Sequence, residues 1–218
     1  MAVTPLADAL SPRIIARAGA LCLIAGYVDI DGYTELGGVF AANMTGNSVL
    51  LVLAAARGES ARAVSYLVTL AAFLAGAILA SAAKRATRRP VAALVAASAL
   101  VLIAALVPMA PVARLAVIAT GMGLQGGAIT RFGSVGLQTV VVTGTIIRLA
   151  DSLVERAHPD AAEVPPWTAT LEAFAWLSYI AGAAVAIGAQ SAMNRPLILA
   201  AAALLAVAAD VASERGAI

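Results

Sequence analysis

The chain has 218 residues, 62% of them hydrophobic and only 12% charged, with a net charge of +2. A soluble domain carries about 25% charged residues, and a chain this short has too much surface to hide so much oil in water. The mean hydropathy of +0.95 therefore points to lipid as the solvent. The basic residues sit mostly in short loops, the pattern of topology determinants and not of a nucleic-acid patch.

Residues 1–12 form a polar N-terminal tail with Pro5 and Pro12, and no positive leader or small-residue cleavage site marks a removed signal peptide. The first apolar run follows Arg13 and Arg17, carries the single cysteine, Cys22, and reaches Gly26-Tyr27-Val28. Asp29, Asp31 and Glu35 come next. The second run, Val39 to Ala56, opens with V-F-A-A-N-M-T-G-N, in which Asn43, Thr45, Gly46 and Asn47 interrupt the oil. Polar groups and a glycine inside membrane-length apolar sequence are costly, so they mark a backbone or side chain with a task. The third run is Tyr66 to Ala83, ended by Lys84, Arg85, Arg88, Arg89 and Pro90; the fourth is Val91 to Val107. The fifth is Leu115 to Ile129, and the sixth, Leu137 to Ala150, contains Thr143-Gly144-Thr145. A polar loop with His158, Pro165 and Pro166 precedes the seventh, about Leu171 to Gln190, and Arg195-Pro196 opens the eighth, Leu197 to Ala209. The runs lack the polar face of a soluble amphipathic helix.

The chain repeats itself. Arg17 to Gly26 resembles Arg114 to Gly123, Thr45-Gly46 matches Thr143-Gly144, and Phe73-Leu74-Ala75-Gly76-Ala77 matches Tyr179-Ile180-Ala181-Gly182-Ala183. One insertion in the Pro165 loop reconciles the spacings, and insertions fall in surface loops. This gives a first membrane repeat over 13–108, a second over 109–210 and a C-terminal tail over 211–218. If all eight runs cross fully, the 14 Lys and Arg split eight inside to six outside. If the second and sixth runs are broken or re-entrant at Thr-Gly, only Arg57, Arg62, Arg114 and Arg195 of the 14 lie outside, in keeping with the positive-inside rule. Each half then has three crossings, which makes the repeats inverted, a common plan in secondary transporters. The expected fold is an all-α transmembrane bundle with both termini in the cytoplasm.

Gly26-Tyr27-Val28-Asp29, Gly37-Gly38-Val39-Phe40 and above all Asn43-Met44-Thr45-Gly46-Asn47, with Gly121-Met122-Gly123-Leu124-Gln125 and Val142-Thr143-Gly144-Thr145 in the second half, resemble the YoaK-like family of uncharacterised bacterial membrane proteins. The chain departs from the pattern at Gly126, where a polar residue is expected. The resemblance implies a multi-pass protein of the bacterial cytoplasmic (inner) membrane and supplies no substrate.

Several residues are candidates for a solute site. In a helix continuous from Arg17, Asp29 lies ~18 Å further along, within a hydrocarbon core of ~30 Å; a carboxylate there carries a proton or meets a cation. In the alternative the helix ends near Val28 and Asp29 sits in an outer loop. Asp31 and Glu35 read as solvated. Gln125 binds a solute or bonds another helix. Asn43, Thr45, Gly46, Asn47, Thr143, Gly144 and Thr145 line a pocket where the broken segments meet, or the Thr hydroxyls bond preceding carbonyls in helix packing. Gly46→Leu and Gly144→Leu are then expected to harm binding far more than Gly76→Ala harms it. Small residues four apart around Gly76 and Gly182 read as close helix packing, within the chain or between the copies of a homodimer.

No nucleophile-base pair, His cluster, Cys pair or phosphate loop is present, so neither enzyme chemistry nor a cofactor is expected. The leading expectation is a transporter or channel for a small polar solute, embedded in the lipid bilayer. The alternative is a structural or regulatory membrane subunit. Stabilisation by a solute distinguishes the first; copurification with a partner distinguishes the second.

Overall fold

A computed structural model of the chain describes residues 11–87, 90–132, 135–137, 139–140, 142–157 and 167–215. The loop holding His158 and Pro165, both tails beyond these limits, Arg88, Arg89 and Val141 lie outside the described residues.

Among the described residues, eight helices follow in order: α1 (Pro12–Glu35), α2 (Met44–Ala56), α3 (Ser60–Thr87), α4 (Pro90–Leu106), α5 (Pro111–Ala128), α6 (Val142–Ala157), α7 (Thr168–Ala192) and α8 (Leu197–Arg215). A two-residue antiparallel ladder, β1 (Arg131–Phe132) with β2 (Val135–Gly136), lies between α5 and α6, pairing Arg131 with Gly136 and Phe132 with Val135. Prolines at the first position of α1 and α5 suit a site with no helical acceptor for an N–H. The Ser11 hydroxyl accepts from the Ile14 amide and caps α1.

Among the described residues, three helices are long and apolar enough to cross a membrane by length and composition: Ser60–Ala86, Thr168–Ala192 and Leu197–Glu214. Their outward faces carry exposed Leu67, Leu74 and Ile78 on α3 and Leu177 and Val185 on α7, side chains that lipid covers at no cost. By contrast α2 has 13 residues, about 20 Å at 1.5 Å per residue, too short for a ~30 Å core. It starts beside Asp29 of α1. Its end, at Leu53 and Arg57, shares a cleft of about 120 Å³ with Tyr33 and Gly38 past the end of α1 and with Tyr66 near the start of α3. The chain therefore dips into the bundle after α1 and returns through α2 to the end it left. The second apolar run is broken, with Thr45 at the second residue of the short helix; Thr143 is likewise the second residue of α6.

Helix packing follows a matched pattern. α1 packs on α7 and α3 on α5, α4 packs on α8, and each short helix packs on the helix after it. Four glycines set the two closest crossings. A Cβ on Gly26 would stand 2.0 Å from the Tyr179 carbonyl oxygen, and one on Gly123 would stand 2.1 Å from that of Phe73. A Cβ on Gly182 would stand 1.9 Å from the Leu23 oxygen, and one on Gly76 would stand 2.1 Å from that of Thr120. Only glycine lets backbones approach so closely. These faces are used inside the chain, which resolves the two readings of Gly76 and Gly182. Gly19 meets Phe174 and Thr34 bonds Gln190, so α1 and α7 run in the same direction. Gly76 meets Thr120 and Lys84 bonds the Gly127 carbonyl, so α3 and α5 do too.

Three expectations are corrected here. α1 continues to Glu35, so Asp29 is helical and buried and not in an outer loop. Asp31 is buried, not solvated, with Arg114 of α5 at 3.8 Å; the turn of helix that carries Asp29 inward carries Asp31 toward α5. The helix of the sixth run, α6 from Val142, extends past Ala150 to Ala157, through the charged Asp151 and Glu155.

Candidate functional site

The N-M-T-G-N block starts a helix inside the bundle, where every backbone group needs a partner. Asn43 is the N-cap of α2, and its Oδ1 accepts from the Gly46 amide at 3.0 Å. Asn47 closes a fork on Phe40: its Oδ1 accepts from the Phe40 amide at 3.0 Å, and its Nδ2 donates to the Phe40 carbonyl at 2.7 Å. The irregular segment before α2 thus finds in one carboxamide both a donor and an acceptor for the Phe40 backbone. A Cβ on Gly46 would lie 3.1 Å from the Phe40 ring and 3.2 Å from Asn43 Nδ2; the glycine makes room for this closure. The Phe40 ring stacks on Tyr33 with centroids 4.9 Å apart.

Asp29 fixes the break to the rest of the bundle. Its Oδ1 accepts from the amides of Ala42 at 2.6 Å and Asn43 at 3.0 Å. Its Oδ2 accepts from the Tyr179 hydroxyl of α7 at 2.6 Å. One carboxylate therefore ties α1, the start of α2 and α7 together. Charge-assisted bonds of this kind are the strong ones, and they offset the cost of a carboxylate removed from water.

A cavity of about 430 Å³ opens between the first turns of α2 and α6. Its polar wall comes from Asn43, Thr45, Thr130, Thr143 and Tyr179; Phe73, Val140, Gly126 and Gly127 supply much of the apolar wall. Of the residues singled out from sequence, Asn43, Thr45 and Thr143 meet on this cavity, one of them across from the other two. Asp29 and Asn47 are buried behind it and bonded to backbone. Gly46 lies under Phe40. Gln125 is fully buried, and its Nε2 donates to the Leu21 carbonyl of α1 at 2.8 Å, so its amide joins two helices. Thr145 is buried and accepts from Arg148. Gly144 follows Thr143 in the first turn of α6 and is not on the cavity wall.

Sequence reasoning did not assign Tyr179, Phe73, Thr130 or Val140 to this wall. The signal for two of them was present: Phe73 and Tyr179 occupy matching positions of the repeat. It also passed over Glu172, which is buried on α7 and accepts from Arg148 Nε at 2.9 Å and from Ser152 at 3.3 Å, fastening α6 to α7. A lone Glu inside the seventh apolar run was the available signal. Among the described residues no group of His, Cys, Asp and Glu is placed to hold a metal ion.

The fold and this site define a helical membrane protein built around two short helices that start inside the bundle. The chain belongs to the family described as "Protein of unknown function (DUF1275)", whose model matches residues 18–209. It is 34% identical over 149 residues to the UPF0700 transmembrane protein YoaK of Bacillus subtilis (strain 168). That match covers 62% of this chain and 65% of the relative, so the chain spans just under two thirds of that protein's length. No solved structure matches the chain. The family resemblance carried by the N-M-T-G-N block and the membrane class read from composition both hold.

Proposed function

We propose that this protein is a transporter or channel for a small polar solute in the bacterial inner membrane, binding it in the cavity between the starts of α2 and α6. The cavity carries the reading. At about 430 Å³ it falls within the ~300–1,000 Å³ of small-molecule sites, and it joins a few hydrogen-bonding groups to an apolar wall as such sites do. The Thr45 and Thr143 hydroxyls and the Asn43 carboxamide come from the starts of two short helices inside an apolar bundle, the arrangement by which transporters expose polar groups to a solute at membrane depth.

Helix directions support inverted repeats. α1 and α3 approach the same end from opposite directions, since Gly38 just past α1 bonds Tyr66 near the start of α3. α5 runs with α3 and is therefore opposed to α1, its counterpart in the repeat. The matched glycine–carbonyl crossings fit the same relation. With six full crossings, the positive-inside rule puts the start of α1 in the cytoplasm.

The test is solute-dependent thermal stabilisation of the purified full-length protein, followed by uptake into liposomes. A solute at about 100 times its Kd stabilises by ~2.7 kcal/mol. Thr45→Val with Thr143→Val removes two hydroxyls at nearly constant volume, and Gly126→Leu adds a side chain at the cavity wall. Both are expected to abolish the stabilisation. A solute that stabilises all three proteins equally binds elsewhere and defeats this assignment.

A further inference from the structure

We propose that the solute is a small anion, reaching the central cavity through a cationic vestibule formed by Lys84 and Arg131 at the end of the bundle where α1 begins. The inference rests on the transport reading above and adds the charge of what is carried. A second cavity, of about 460 Å³, lies at that end, lined by residues of α1, the end of α3, the segment after α5 and the end of α8. Thr130 belongs to the walls of both cavities, so the two meet at that residue.

The vestibule's charges do not cancel. Arg17 on its wall is paired with Asp210 and Glu214 of α8 and also donates to the Asp210 carbonyl at 3.1 Å. That cluster uses the vestibule's acid, Glu214. Lys84 Nζ is steadied by the Gly127 carbonyl at 3.2 Å, and the Arg131 side chain is exposed. Neither has an acidic partner among the described residues. Two cations at the mouth of a low-dielectric cleft concentrate anions and repel cations.

The inner wall agrees with the mouth. Among the described residues, no acidic side chain lines the central cavity. Asp29, the carboxylate nearest it in the fold, lies behind Tyr179 and Asn43 with both oxygens held by N–H and O–H donors. A cation moving inward from Arg131 would meet no free carboxylate among the described residues. An anion would meet the Thr130, Thr45 and Thr143 hydroxyls and the Asn43 carboxamide, all able to donate.

An oxyanion in the vestibule has two sources, a soluble solute or a phospholipid headgroup at the membrane surface. Thr130, a wall residue shared with the central cavity, favours the solute. The experiment uses full-length protein in phosphatidylcholine liposomes, with inorganic phosphate and succinate as anions, erythritol as neutral probe and choline as cation. Thermal stability in micelles is measured alongside at constant ionic strength. The expected result is uptake of at least one anion and of neither other probe, with anion-dependent stabilisation. Lys84→Gln with Arg131→Gln should lower anion uptake about tenfold while leaving the melting temperature without anion unchanged. Uptake of erythritol or choline in preference to both anions overturns the anion inference and leaves the transport reading standing. Anion uptake and stabilisation that the double variant retains in full overturn the vestibule. Stabilisation by phosphatidylglycerol vesicles alone, with no effect of soluble anions, makes this a headgroup site and overturns the solute assignment. No uptake and no stabilisation by any probe overturns the transport reading and this inference with it.

Discussion

Residues 36–47 and the described residues of 129–145 precede or begin the two short helices, and they satisfy backbone groups by different means. The first segment uses side chains. Asp29 takes two amides, Asn43 takes one, Asn47 takes an amide and a carbonyl of Phe40, and the Tyr66 hydroxyl takes the Gly38 carbonyl at 3.1 Å. The described part of the second uses backbone: the β1–β2 ladder and a bond from the Leu137 amide to the Thr130 carbonyl at 3.3 Å. When Gly26 is set on Gly123, the position matching Asp29 is Gly126, and Tyr179 is matched by Phe73. A Cβ on Gly126 would lie 3.8 Å from Phe73 Cζ, so an apolar contact stands where the first segment has a carboxylate and a hydroxyl. The missing polar residue at Gly126 is thus explained by a segment that supplies its own backbone partners. An unpaired amide costs the same in either place; only the supplier of the partner differs.

The sharpest way to break this comparison is at Asp29. Asp29→Ala leaves the Ala42 and Asn43 amides and the Tyr179 hydroxyl without their acceptor, at about 1–3 kcal/mol for each buried group. A loss of about 3 kcal/mol or more is expected in thermal or denaturant unfolding in micelles. Asp29→Asn keeps one carbonyl oxygen and should lose clearly less. Gly126→Ala, at the matching position, should change stability little, because the neighbours at 3.1–3.8 Å are side chains of Val140 and Phe73. Equal losses at Asp29 and Gly126 would end the distinction between the two segments.

The shared glycines come next. Gly76→Ala and Gly182→Ala each put a methyl about 2 Å from a backbone oxygen, and overpacking costs typically ~1–3 kcal/mol. The two should match within error, since the contacts correspond. The order expected from sequence, in which Gly46→Leu and Gly144→Leu outweigh Gly76→Ala, concerns ligand binding and is separate from this effect on folding. For folding, Gly76→Ala is now expected to be severe, because Thr120 is backbone and cannot turn aside. A tolerated Gly76→Ala beside a crippling Gly182→Ala would show that the crossings are not equivalent.

These residues also show what a sequence can carry. The membrane class and the helix break at Asn43–Gly46 were legible because apolar runs and the polar residues that interrupt them are local signals. The glycines were legible as packing, but not the carbonyls they meet, which belong to the other half of the chain. Sequence left Asp29 open between a deep helix position and an outer loop, and its partner Tyr179 is 150 positions away. Asn47 looked like pocket lining because polarity alone does not say whether a side chain faces a cavity or its own backbone. The Glu172–Arg148 pair was hidden for a related reason: it depends on how α6 lies on α7.

Asn47→Leu tests the backbone fork. It preserves bulk and removes both bonds to Phe40, leaving one amide and one carbonyl unpaired in the bundle. A loss of about 2 kcal/mol is expected. The effect should appear with faster amide exchange at Phe40, measured by hydrogen exchange, and with little change at Leu137 in the other segment. Faster exchange at both would mean that the two segments unfold as one unit.

The smallest expected effect is also the most selective. Tyr179→Phe removes a single hydroxyl from the bundle and makes the α1–α7 crossing resemble the α3–α5 crossing, where Phe73 stands. The Asp29 carboxylate then loses one donor but keeps the Ala42 and Asn43 amides, so the start of α2 stays capped. A hydrogen bond to a charged group contributes about 1.5–3 kcal/mol, and water entering from the adjoining cavity replaces part of it. A net loss of about 1 kcal/mol is expected. The reciprocal change, Phe73→Tyr, adds a hydroxyl at the cavity wall opposite glycine, where water can solvate it, and should alter stability by less than Tyr179→Phe does. If Phe73→Tyr proves the more damaging, the second half of the cavity is closed to water, and the polar wall of Thr130 and Thr143 cannot serve a solute.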